Sequence, residues 1–301
     1  MAIINRSSIT ALLRPGIDTV FADYGTYGDI WKPIYSIRTS NKQNEVDLEM
    51  MGLGLAALKQ DGSPVAMGQM QQGYQTEYFH NFYGLGFQIT RAAIEDNLYQ
   101  DQFPKDAEQL KSSLQTLRNY NAMVPFNGAF SSFLVSDGQP LCSIAHPINN
   151  GTLANTFTNG VGLNESAIED GMTIIKSFRN LGGLNIDRRA MRLLVPNALW
   201  FKAKRILHST GQTGTGNNDI NVINYDKLLP DGAMANTFLT NPGAWFMITD
   251  EAEGFKWFQR SPVDINFSVD ATTDNTTIRA VERYSNGCSN WRAVFGSSGA
   301  I

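Results

Sequence analysis

Cysteine is nearly missing from this 301-residue chain, which has only Cys142 and Cys288. Two distant thiols give no disulfide framework, so a reducing compartment is expected. Histidine occurs three times, and no Cys/His spacing matches a zinc site. Basic excess is also lacking: the net charge is −4 and the pI about 5.4, which excludes a dedicated nucleic-acid binder though not a protein that merely encloses nucleic acid. No run of ~18 apolar residues occurs, so no membrane span is expected. The N-terminus, MAIINRSSITALLRPGI, lacks a basic region followed by a continuous apolar core, so no signal peptide is expected and synthesis is placed in the cytoplasm. Charged residues make up 17%, below the usual quarter. That suits a surface covered by neighbours, and equally a neutral Asn/Gly/Thr-rich soluble protein.

Hydrophobic residues reach 42%, enough for a sizeable core in one large or two modest domains. The most telling stretch is 45–89. Met51 to Tyr74 carries two charges, Lys59 and Asp61, in a Gly/Met/Gln-rich run without helical or strand periodicity. On its approach Glu45, Asp47 and Glu49 alternate with Val46, Leu48 and Met50, reading as a strand with one solvated acidic face; the exit from Thr76 to Thr90 is aromatic-rich. A hairpin turning at Asp61-Gly62 with limbs of ~20 residues would reach about 60 Å, against a radius of gyration of about 19 Å for a compact body of this length. Such an arm must find its partner on another copy of the chain.

Residues 1–44 read as an extended lead-in whose aromatics, Trp31 and Tyr35 among them, dock onto a surface, either the body of the same chain or a neighbour. Thr90 is expected to cap a short helix. A longer helix is expected from Pro104 to Pro125, with an apolar stripe of Ala107, Leu110, Leu114, Leu117, Tyr120 and Val124. Asn164 is expected to cap a helix stopped by Gly182-Gly183. Met191 to Val195 reads as a buried strand, and Asn197 as the cap of a helix carrying the basic cluster Lys202 to Leu207. The loop 211–219 reads as flexible, and Trp245 to Thr249 as a core strand. After Glu251, FKWFQR, VDINFSVDA and TTIRAVERYSN read as antiparallel strands with a turn at 273–275.

Catalytic readings find little support. Cys142 and His146, with Ser136, Asp137 and Ser143 nearby, would suit a cysteine hydrolase only if a base activated the thiol and a third group oriented that base. A buried thiol and a structural histidine are the alternative. The glycines lack a phosphate-loop frame. The basic helix cluster reads as a solvated face, or as one turned to a polyanion. Lys59 reads as an exposed lysine, or as an inter-subunit cross-link or ion pair. No catalytic residue, cofactor or metal is assigned.

The order of these segments, with Gly28-Asp29-Ile30-Trp31, QITRAAIEDNLY, PLCSIAHPINNGTLAN, MRLLVPNALWFKAKRIL, WFMITDEAEGFKWFQR and IRAVERYSNGCSNWRAVFGSSG, resembles the major capsid proteins of tailed bacteriophages, in particular the Mu-like major head subunits. The resemblance spans essentially the whole chain and implies an α+β, Hong Kong 97-type fold. Its parts would be an N-arm (1–44), an extended E-loop (45–89), a peripheral domain with a spine helix (90–130 and 251–301) and an axial domain (131–250). It further implies pentamers and hexamers in an icosahedral shell around double-stranded DNA, touched non-specifically, within a virion assembled in the host bacterial cytoplasm. A portal and a possible decoration protein are implied partners. No charged scaffolding segment precedes the N-arm, so either a separate scaffolding protein or an already mature chain is implied. The isopeptide cross-link of one branch is not carried over to Lys59. Trp31, Tyr35, Leu55, Lys59, Asp61, Met67, Met70 and Tyr74 are the expected inter-subunit contacts. An encapsulin-type compartment shares this fold and is the main alternative.

Overall fold

The computed structural model describes residues 6–24, 28–62, 64–65, 67, 72–96, 99–149, 151–211 and 220–299. The chain begins with α1 (Arg6–Phe21), β1 (Ser36–Thr39), β2 (Asn44–Met50), β3 (Gln72–Phe79), β4 (Asn81–Ile89), α2 (Arg91–Glu95) and α3 (Tyr99–Asn127). It continues through β5 (His146–Ile148), β6 (Gly151–Leu153), α4 (Glu165–Lys176), β7 (Ala190–Pro196), α5 (Trp200–His208) and α6 (Val222–Tyr225). The last elements are β8 (Ala233–Asn236), β9 (Trp245–Thr249), β10 (Phe255–Val269), β11 (Thr276–Cys288) and β12 (Val294–Ser297). Two four-stranded sheets organise the fold, ordered β1-β10-β11-β4 and β12-β9-β7-β8; β2-β3 and β5-β6 are two-stranded.

The lead-in is not wholly extended, because α1 occupies Arg6–Phe21 despite Pro15. Ile17 and Phe21 bury themselves with Phe103, Ala107, Leu110 and Leu114 of α3 and with Ile278 and Ala280 of β11. Packing of that kind overrides weak local propensity.

Helix α3 is longer than its prolines suggest: 29 residues, about 43 Å, with Pro104 and Pro125 both inside it. Pro125 cannot donate to the Asn121 carbonyl. The Asn286 side chain donates to that carbonyl instead, at 2.9 Å, so the last turn survives. The buried stripe is Phe103, Ala107, Leu110, Leu114, Arg118, Ala122 and Phe126, whereas Tyr120 and Val124 face outward at 50% and 42% exposure. Thr90 and Asn164 cap as expected, accepting from Ala93 N (3.3 Å) and Ala167 N (2.6 Å). Asn197 does not: α5 is entered through a 3-10 turn at Asn197–Leu199, and the Asn197 amide bonds the Thr237 hydroxyl at 3.1 Å.

β7 and the fully buried β9 lie where their apolar runs place them. FKWFQR and VDINFSVDA join into one 15-residue strand, β10, whose register shifts between Gln259 and Asp264. Pro262 falls inside that irregularity, where no ladder donor is required. After β11 in one sheet, the final strand β12 pairs antiparallel with β9 in the other, so the C-terminal segment ties the two sheets together. The loop 212–219 lies outside the described residues.

Candidate assembly surface

The aromatic lead-in is used inside its own subunit. Trp31 is fully buried and stacks on Trp257 with ring centroids 3.9 Å apart; Trp257 in turn stacks on Tyr284 at 4.4 Å. Tyr35 meets Trp31 edge-on at 5.8 Å and donates its hydroxyl to the Ala122 carbonyl at 2.6 Å. Arg118 lies among the rings of Tyr24, Trp31 and Trp257, 5.3–5.5 Å from each, and faces Asp29 at 3.4 Å and Glu282 at 3.9 Å. Burial raises the Glu282 carboxyl, and Arg118 partly opposes it. Trp31 and Tyr35, expected at a neighbour, are thus buried within their own chain, where indole and phenol surfaces this complementary satisfy each other.

The arm is rooted by its acidic residues, contrary to a solvated acidic face. Among the described residues 44–50 and 72–79 pair as a hairpin, and 81–89 joins β11 as the edge strand of the β1-β10-β11-β4 sheet. Tyr83 there stacks on Tyr284 at 4.5 Å, which holds β4 to the body. Within the hairpin, Asp47 pairs with Lys256, whose side chain is 1% exposed, and Lys256 also reaches Glu253 at 2.6 Å. Glu49 pairs with the equally buried Arg292 at 2.8 Å, and Arg292 also donates to the Arg179 carbonyl at 2.6 Å. Glu45 accepts from Ser40 at 2.6 Å and Lys42 at 3.1 Å. Tyr78 meets the Ser289 hydroxyl at 2.5 Å and packs edge-on against Phe258. Gly73 has no room for a Cβ, which would lie 2.5 Å from Leu181 and 2.7 Å from the Glu49 carbonyl. Side-chain alternation then turns the apolar positions outward, leaving Val46, Leu48 and Met50 exposed.

Between Met51 and Met67 the arm carries no strand among its described residues, and its apolar side chains stand in solvent. Leu55 is 85% exposed, Leu58 94% and Met67 92%, with Leu53 and Val65 also open. The Asp61-Gly62 turn forms where expected, with Gly62 at φ +76°, a left-handed conformation that suits glycine. Lys59 and Asp61 are exposed and Tyr74 is half-buried at the root; Met70 lies outside the described residues. Sequence reasoning missed two other exposed aromatics, Phe201 and Tyr225. A helical wheel exposes Phe201, since Ala203, Ile206 and Leu207 define the buried face of α5.

The Cys142/His146 pair is not arranged for nucleophilic chemistry. His146 is buried, its Nδ1 against Asp137 at 2.7 Å, its Nε2 against Asn155 at 3.2 Å, and its ring stacked on Trp291 at 4.2 Å. Both nitrogens are engaged away from the sulfur. Burial pushes the Cys142 thiol well up, away from the reactive thiolate, and Cys288 up to about 12. In the basic cluster, Lys204 sits over the Trp200 ring at 4.6 Å. Among the described residues no His, Cys, Asp and Glu side chains group to hold a metal, and no helix is long and apolar enough to cross a membrane.

The fold is that of Hong Kong 97-type capsid proteins. The capsid of the Myoviridae phage XM1 matches at TM-score 0.53 and 12% identity, over 88% of this chain and 90% of that one. The procapsid of bacteriophage JBD30 matches at 0.54 and 11%, over 99% of this chain and 77% of that one. A virus-like particle from Pyrococcus furiosus matches at 0.54 and 8%, over 94% and 98%. No curated protein sequence matches. The phage capsid protein family matches residues 74–296, from the second strand of the arm to the last strand of the central sheet, and this chain belongs to that family.

Proposed function

We propose that this chain is the major head subunit of a tailed phage, acting through assembly rather than catalysis. The observation that carries this reading is the arm: charged residues anchor it to the body while its apolar side chains are left in solvent. Burying Leu53, Leu55, Leu58, Val65 and Met67 on a neighbour would return ~1.5–3 kcal/mol each, comparable in sum with the 4–15 kcal/mol cost of association. A contact that each subunit both gives and receives is heterologous and closes into rings. In this reading those rings are the pentamers and hexamers of an icosahedral shell. Residues 45–89 are then the E-loop, 90–130 and 251–301 form a peripheral domain with α3 as its spine, and 131–250 form an axial domain. A separate scaffolding protein, a portal, a possible decoration protein and non-specifically held double-stranded DNA complete the particle, built in the bacterial cytoplasm. Placement among Mu-like heads rests on the order and spacing of the segments.

The likeness to a virus-like particle from Pyrococcus furiosus favours one second reading, an encapsulin-type compartment. Electron microscopy of the protein, expressed alone and with its neighbouring genes, tests both. Closed shells or capsomer rings are expected, and nuclease-protected DNA inside them separates the phage head from the compartment. A protein that stays monomeric at high concentration in both preparations would overturn the assembly reading.

A further inference from the structure

Beside the arm root, the strand β3 and the loop 133–136 enclose a pocket of about 250 Å³, with Phe79, Tyr83, Phe133 and Leu134 as its apolar wall and Glu77 and Ser136 among its polar lining. About 150 Å³ is enough for a benzene-sized group, so this volume suits one or two aliphatic side chains. Two large apolar side chains stand open on its rim, Phe79 62% and Leu134 59% exposed, in a lining that is otherwise mostly polar. The tip of the same subunit leaves from the opposite end of the hairpin, roughly 20 Å away, and its leucines point into solvent. Charge adds a second match. Among the described residues Lys59 has no ion-pair partner, and Glu77 makes only a 3.0 Å hydrogen bond from Gln75 on its own strand.

We propose that this pocket seats the arm tip of a second copy of this chain, with Leu55 and Leu58 against Phe79 and Leu134 and Lys59 paired to Glu77. The proposal rests on the assembly reading and gives it an address: the root of one arm receives the tip of the next. Seat and tip then lie at the two ends of one hairpin, so each subunit is donor on one side and acceptor on the other, and the chain of contacts runs head to tail around a ring.

Two single-cysteine variants, Leu58→Cys and Leu134→Cys, co-assembled and oxidised, test the seat. Both native cysteines are buried, so the engineered thiols report alone. A disulfide-linked dimer is expected from the mixture. None is expected from Leu58→Cys mixed with Asn266→Cys, on the exposed side of β10. Intact shells without the Leu58–Leu134 dimer, or with equal yield from the control pair, would overturn the seat while leaving assembly standing. Absence of shells from the wild-type chain would instead overturn the assembly reading beneath it. A charge exchange gives an independent check: Lys59→Glu and Glu77→Lys should each lower particle yield, and the double variant should recover it. A double variant no better than the singles would refute the Lys59–Glu77 pairing.

Discussion

The lead-in from Gly28 to Tyr35 and the arm tip from Met51 to Met67 carry similar apolar content, and they meet opposite fates. Trp31 and Tyr35 vanish among Trp257, Tyr284 and Ala122 of their own subunit, while Leu55, Leu58 and Met67 remain almost fully exposed. The difference lies in what each segment can reach. The lead-in lies along α3 and β10, where rings of matching shape wait. The tip is held away from the body by ion pairs at its root. Stickiness in a sequence therefore says that a partner exists, and anchoring decides whether the partner is internal or external.

The largest effect expected is on the internal side. Trp31→Ala removes a fully buried indole and should cost about 3–5 kcal/mol, with loss of folded protein, visible as a large fall in denaturation midpoint. Replacing residues 54–69 by a short Gly-Ser turn should do the reverse: the monomer keeps its stability within about 0.5 kcal/mol, and closed shells disappear from micrographs. If the shortened arm destabilises the monomer as much as Trp31→Ala, the contrast between the two segments collapses.

Arg292→Met sits between these extremes, because it touches both fold and arm. Loss of its bonds to Glu49 and the Arg179 carbonyl should cost about 2–4 kcal/mol, toward the low side of a broken buried pair since Glu49 retains some solvent contact. The further expectation is that hydrogen exchange in β2 and β3 rises more than in β9. Uniform loosening throughout the chain would show that Arg292 merely holds the fold and does not aim the arm.

Much of this was legible beforehand, and the failures share a cause. Thr90, Asn164, the strands at 190–196 and 245–249 and the Asp61-Gly62 turn all rest on local chemistry that a sequence displays. Alternation at Glu45, Asp47 and Glu49 correctly gave one face of a strand, but which face turns inward depends on Lys256 and Arg292, more than 200 residues away. Arg118 was invisible in the α3 stripe for the same reason, its partners being Asp29, Glu282 and three rings. For Trp31 and Tyr35 the residues alone leave the same chain and a neighbour both open, because the rings that receive them come from the far end of the chain. Local pattern fixes an element, and only the long-range partner fixes its sign.

The smallest expected effect divides root from core by pH. Burial pushes the Asp47 carboxyl up, but hydrogen bonds from Lys256 and Ser289 and the Lys256 charge outweigh it, so Asp47 ends below its ordinary 3.8. Glu253 is held below 4.5, chiefly by the hydrogen bond from Lys256. Groups lowered in this way stabilise the fold above their unfolded values, and that contribution is lost as pH falls through the folded ones. Glu282 and Glu49 are raised above 4.5, by burial first, with Arg118 and Arg292 opposing. Their contribution has the opposite sign, present below 4.5 and lost as pH rises through the raised values. Acidification toward 4.5 should thus slightly favour the core around Glu282 and the Glu49 side of the root, while further acid, below 3.8, should release the root at Asp47. Hydrogen exchange across that range should show protection at 46–48 falling in the second step, and Asp47→Asn should flatten that step alone. Glu282→Gln should flatten part of the first and leave the second intact. If Asp47→Asn leaves the acid limb unchanged, the Lys256 hub is not what holds the arm, and the comparison with the aromatic core would need another anchor.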